Sequence, residues 1–157
     1  MHSASDEIRI DAPPEAVYRI VADPRRLPQW MSSLIEVRNV RGSGVGQTYE
    51  WTYKMAGVKF DGKTEVVKEN VGELRNTRTV GGIDSEWHMN FEREGKQGTR
   101  FRLEVSYSIP TPVLGAVAEK VITARNRREL SSNLAHLKDI VEAEVAKAAS
   151  TPKHAHP

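Results

Sequence analysis

Through its middle the chain alternates apolar and polar residues with a period of two, and near its end the period changes to that of a helix. The first short run, Glu7 to Asp11, sets Ile8 and Ile10 against Glu7, Arg9 and Asp11, which predicts a strand. Gln47 to Met55 places Tyr49, Trp51, Tyr53 and Met55 on one face and Glu50, Thr52 and Lys54 on the other. Ile83 to Glu94 does the same with Ser85, Trp87, Met89 and Phe91. Thr99 to Ile109 gives the cleanest strand, with Phe101, Leu103, Val105, Tyr107 and Ile109 facing one way. Leu34 to Val40, Val58 to Glu69 and Glu73 to Val80 complete seven strands. Their separators are turn-formers: residues 41–46, Ala56-Gly57, residues 70–72, Gly81-Gly82 and residues 95–98. Strands with one polar face imply an antiparallel sheet with one wet side and one covered side.

Helical spacing appears in three places. Between Pro14 and Ala22, Val17, Ile20 and Val21 share a face, and proline suits the first turn because its missing N–H would be unpaired there. Asp23 can cap a second short helix, Arg25 to about Trp30. After Pro110-Thr111-Pro112, with Thr111 as cap, the pattern runs from Val113 to about Ala148. Leu130, Leu134, Leu137 and Val141 form an apolar stripe with Ile140 beside them. Unbroken, that segment spans roughly 50 Å at ~1.5 Å per residue, and Gly115 predicts a kink or break near its start. The element order predicts an α+β fold: a curved seven-stranded antiparallel sheet around a long C-terminal helix, with two short helices after the first strand. A hollow between sheet and helix is expected. Residues 1–148 make one domain, and 149–157 are expected to be a disordered tail.

Composition narrows the chemistry. The 157 residues are 38% hydrophobic and 28% charged, as in a globular domain. Net charge is +2 and the isoelectric point about 8.9, short of a nucleic-acid binder, and no such motif is present. With no cysteine, thiolate catalysis and cysteine-ligated zinc are excluded. No apolar leader and no spanning segment is evident, so a cytoplasmic location is expected. No metal or cofactor is implied. His154 and His156 have no carboxylate companion, His2 is uninformative, and His136 flanks the apolar stripe.

The aromatic residues carry the functional signal. Trp51, Tyr53, Trp87, Phe91 and Tyr107 share the covered parity, either filling the core or walling a pocket. Trp30 stands near the pocket mouth or packs as a hinge. His88 has the opposite parity to Trp87 and Met89 and is expected to face solvent. The strand at 73–80 has two readings. In one, Asn76 and Arg78 face inward, with Glu65, Asp61 or a ligand anion as partner of Arg78. One residue out of register, Arg75, Thr77 and Thr79 face inward instead. Gly42-x-Gly44-x-Gly46 lacks the helix and lysine of a phosphate loop and reads as a flexible hairpin loop or lid. Arg125, Arg127 and Arg128 read as a solvated face balanced by Glu119 and Glu129, or as a weak contact with an anionic membrane.

The segments Ile8 to Trp30, Gly81-Gly82-Ile83, Gly98-Thr99-Arg100, Tyr107 to Pro112 and Leu134 to Glu142 resemble the START-like, or helix-grip, superfamily, which includes Bet v 1-type allergens. Within it the chain is most similar to the polyketide cyclase/dehydrase family. The resemblance implies a helix-grip fold and a small hydrophobic ligand, lipid-, polyketide- or quinone-like, held in an internal cavity. The alternative is a cyclase, dehydratase or hydrolase using the same cavity. The expected ligand-binding residues are Trp30, Trp51, Tyr53, Phe60, Arg78, Trp87, Met89, Phe91 and Tyr107. Entry is expected where Trp30 and the loop from Val40 to Gln47 gather.

Overall fold

The computed structural model describes residues 1–115 and 117–150. Seven strands, β1 (His2–Ile10), β2 (Leu34–Arg41), β3 (Thr48–Met55), β4 (Val58–Asn70), β5 (Leu74–Gly81), β6 (Ser85–Glu94) and β7 (Gly98–Tyr107), form one antiparallel sheet. Their order is β1-β7-β6-β5-β4-β3-β2, so consecutive strands from β2 to β7 are neighbours and only β1 crosses to the far edge. Helices α1 (Pro14–Val21) and α2 (Leu27–Trp30) follow β1. Helices α3 (Thr111–Leu114) and α4 (Glu119–Ser150) follow β7. The long helix packs along β1 and against α2. This is the helix-grip arrangement that the pattern predicts.

Several boundaries differ from expectation for physical reasons. β1 starts at His2 rather than Glu7, because β7 is long enough to pair it residue by residue from Tyr107 to Thr99. Its first residues show no apolar alternation; they are strand because a partner is there. A 3-10 turn, Pro24–Arg26, stands where the second helix was expected to begin, and Asp23 caps it by accepting the Arg25 N–H at 3.1 Å. Thr111 does not cap α3; Pro110 occupies that position and no side chain bonds there. The break expected at Gly115 is present: Gly115 ends α3, and α4 follows from Glu119. Ala149 and Ser150, expected in the tail, close α4. Residues 151–157, with His154 and His156, lie outside the described residues. Ala56 and Gly57 both have positive φ, 48° and 85°, which fits the two-residue turn between β3 and β4. Among the described residues no helix is long and apolar enough to cross a membrane.

The stripe on α4 is buried as its spacing requires. Leu130, Leu134, Leu137 and Val141 join one core with Ile10, Val17, Val21, Phe101 and Leu103. The grip is reinforced by polar ties to β1. Lys138 donates to the Arg9 carbonyl at 3.0 Å, and Glu142 accepts the Asp11 N–H at 2.7 Å.

At the end of the sheet away from the N-terminus of α4 lies a buried ionic cluster. Arg75 donates to Glu69 and to Gln47, each at 2.7 Å, and the Tyr18 hydroxyl from α1 also bonds Glu69. Glu69 and Arg75 are directly paired across β4 and β5. Burial and the Glu69 carboxylate push the Tyr18 phenol well above its usual range. The ion pair is nearly closed to solvent, its side chains 4% and 11% exposed, so breaking it leaves an unpaired buried charge.

Two stability outcomes follow from this packing. Leu134→Ala and Leu137→Ala should each cost about 2–5 kcal/mol in denaturant unfolding, as buried leucine truncations do. Arg75→Ala should cost about 3–5 kcal/mol, while Arg78→Ala, on the wet face of the same strand, should stay within about 0.5 kcal/mol. Equal effects for the two arginines would contradict the register described.

Candidate functional site

Between the concave face of the sheet, α2 and the first half of α4 lies a hollow of about 110 Å³. Its walls are mostly apolar and aromatic: Leu27, Trp30, Met31, Leu34, Tyr49, Trp51, Tyr53, Met55, Ile83, Trp87, Met89, Val105, Tyr107 and Leu130. Polar groups enter from two sides. Thr64, Thr77, Thr79 and Ser85 come from the sheet, and Asn126, Glu129 and Asn133 from α4.

Two indoles are held by the sheet hydroxyls. Trp51 donates its Nε1–H to Thr64 Oγ1 at 2.8 Å, and Trp87 donates to Ser85 Oγ at 2.8 Å. Ser85 is also bonded to Thr79, whose hydroxyl donates to the Ile83 carbonyl at 2.8 Å. Both of these N–H groups thus have an acceptor, and both rings are fixed in orientation. Trp51 lies flat over Gly62, its cross-strand partner. A Cβ there would fall 2.3 Å from Cζ2 and 2.4 Å from Cη2 of the ring.

On the helix side, Asn126 donates to the Tyr107 hydroxyl at 3.0 Å. Asn133 accepts from the Ser32 N–H at 3.1 Å, and Ser32 Oγ donates to Glu129 Oε1 at 3.1 Å. These bonds tie the turn after α2 to α4. Burial, then the nearby Glu129 carboxylate, pushes the Tyr53 phenol far above its usual range. Burial likewise raises Tyr49. Both phenols are therefore neutral at ordinary pH.

Six of the nine expected residues line the hollow: Trp30, Trp51, Tyr53, Trp87, Met89 and Tyr107. Three do not. Phe91 is buried beneath α1, its ring 5.0 Å from those of Tyr18 and of Phe101, so it is core. Phe60 pairs with Tyr53 and packs on the core from the strand end, outside the hollow. Arg78 points to the wet face, 55% exposed and 3.7 Å from Glu65. The second register reading is the one adopted. Arg75, Thr77 and Thr79 are inward and buried, because Glu69 and Gln47 compensate the guanidinium. Asp61, Glu65 and His88 are exposed, His88 as its parity predicts.

The expected entrance also needs correction. The half-buried lining residues Tyr53, Trp87, Asn126 and Glu129 gather at the other end, where β3, β6 and β7 carry Met55, Ser85 and Tyr107 beside the start of α4. The loop from Val40 to Gln47 sits at the opposite end of β3. It is tied down by Gly46 N–H to Val66 O at 2.8 Å and by the Gln47 contact with Arg75. Trp30 is 1% exposed, edge-on to Phe101, and packs as a hinge. Asn126, Glu129 and Asn133 were missed in the sequence. Their signal was present: they interrupt the apolar stripe of α4 with polar residues one turn apart.

The family's sequence profile, described as polyketide cyclase / dehydrase and lipid transport, matches residues 1–142. The chain belongs to that family. Among solved structures, the protein TTHA0849 from Thermus thermophilus is 25% identical, with a TM-score of 0.74 over 96% of this chain and 100% of that one. A START superfamily protein from Mycobacterium smegmatis is 16% identical, with a TM-score of 0.66 over 94% and 99%. The di-domain ARO/CYC protein BexL of the BE-7585A biosynthetic pathway is 20% identical, with a TM-score of 0.63. There 90% of this chain matches 47% of the larger protein. No functionally curated protein matches the chain. The last two likenesses show the shared fold alone, and family membership by itself assigns no reaction.

Gly62→Ala should lift the Trp51 ring off the sheet and cost about 1–3 kcal/mol, as overpacking a tight contact does. The check is the denaturant midpoint together with the Trp51 indole N–H resonance, which should lose its Thr64-bonded position. An unchanged resonance would contradict the flat placement of this ring.

Proposed function

We propose that this protein binds a small hydrophobic, aromatic ligand in the hollow beneath α4, and carries or presents it rather than transforming it. The observation that carries the reading is a recess walled by Trp51, Tyr53, Trp87 and Tyr107, with two indoles fixed by internal hydrogen bonds. Apolar walls with a few placed polar groups are the usual make-up of a small-molecule site. Membership in a family described by cyclisation, dehydration and lipid transport is consistent with a ligand of this kind. The volume favours a single ring inside the recess; an apolar cavity of ~150 Å³ takes benzene. A longer molecule would extend through the rim at Tyr53 and Trp87.

Enzymatic use of the cavity, as a cyclase, dehydratase or hydrolase, is the second reading, and the family description, which names cyclases and dehydrases, favours it. Against it, Arg78, Asp61, Glu65 and His88 all lie outside the hollow. Among the lining residues Glu129 is the single carboxylate, with no histidine beside it to share acid–base work.

Toluene titrated into the protein should shift the indole N–H resonances of Trp51 and Trp87 in saturable fashion. Trp87→Ala, which removes a wall, should weaken that binding about tenfold. Resonances that stay still at millimolar toluene would contradict the proposal.

A further inference from the structure

Resting on that ligand-binding reading, the rim chemistry narrows the class of ligand. We infer that the ligand's polar end donates a hydrogen bond to Glu129 and carries no negative charge: a phenol, alcohol or amine on an apolar body, and not a carboxylate. Glu129 is the one charged side chain among the residues that line the hollow. It stands half-buried on α4, one turn after Asn126 and one before Asn133, where an apolar helix face would otherwise continue. Its Oε1 accepts from Ser32 Oγ at 3.1 Å, while Oε2 has no hydrogen-bond donor among the described residues. A carboxylate oxygen without a protein donor at the mouth of an apolar recess is an acceptor that a ligand hydroxyl or amine can bond.

The surroundings reinforce the sign. Among the described residues no lysine, arginine or histidine lines the hollow, so an entering anion would find no cation there to pair with. The nearest basic residues in sequence, Arg125, Arg127 and Arg128, are exposed. Across the rim, burial and then the same carboxylate push the Tyr53 phenol further above its usual range. A ligand carboxylate would lose its hydration and meet a like charge, whereas a hydroxyl would exchange one water acceptor for a charged one, which strengthens the bond. An ammonium would gain as well from the aromatic faces of Trp51, Trp87 and Tyr107.

The test uses three single-ring probes on the intact protein at pH 7, followed by the indole resonances: toluene, p-cresol and benzoate. p-Cresol should bind about tenfold or more tighter than benzoate, one charge contact's worth at partial burial. In Glu129→Gln, which keeps shape and acceptor but removes the charge, benzoate should gain about tenfold and toluene should not change. Benzoate binding the wild type as well as p-cresol does, or a preference unaltered in Glu129→Gln, would overturn the inference while toluene binding left the broader proposal standing. Failure of all three probes would overturn both.

Discussion

Everything in this molecule depends on how α4 meets the sheet. Its second half carries a continuous apolar stripe, Leu134, Leu137 and Val141, and sits in the core with polar ties to β1 at Arg9 and Asp11. In its first half the stripe is interrupted by Asn126, Glu129 and Asn133, whose side chains look into the space beneath. A helix face whose buried residues Ile122, Leu130 and Leu134 alternate with Asn126, Glu129 and Asn133 does not seal evenly onto a concave sheet. The continuous stretch fixes the angle, and the polar interruptions border the hollow. The fold's stability and the hollow are therefore set by adjacent turns of a single helix.

The sheet makes the corresponding division. At the end under α1, Arg75, Glu69, Gln47 and Tyr18 fill the concave face with a compensated ionic cluster, which blocks the recess from extending that way. At the other end, Thr64, Thr77, Thr79 and Ser85 are small and leave room. Two of these hydroxyls take the indole N–H groups of Trp51 and Trp87, so the large rings lie as walls instead of collapsing inward. Gly62 is part of the same device, since only a residue without a side chain leaves Trp51 space to lie flat.

The fold was legible because its determinants are periodic. Strand alternation placed Trp51, Trp87, Met89 and Tyr107 correctly, and helical spacing found Leu130, Leu134, Leu137 and Val141. What was not legible depends on pairing between distant segments. His2 to Asp6 become strand only because β7 is there. The inward turn of Arg75 depends on Glu69 standing opposite it, so polarity within β5 alone could not fix the register. Phe91 has the same parity as Trp87 but falls under α1, so parity gives the face and not the depth. In the sequence Glu129 is one charge balancing neighbouring arginines; its place at the rim follows from the helix's angle on the sheet, which no local pattern contains.

The central claim is that the space under the first half of α4 is a ligand site rather than a packing defect. Diffraction from crystals soaked in bromobenzene tests it most directly, because the bromine marks its own position. The account predicts an anomalous peak inside the hollow, bounded by Trp51, Trp87 and Leu130, with the indole bonds to Thr64 and Ser85 intact. A hollow found closed by rotated side chains, with bromine only on the outer surface, would contradict it.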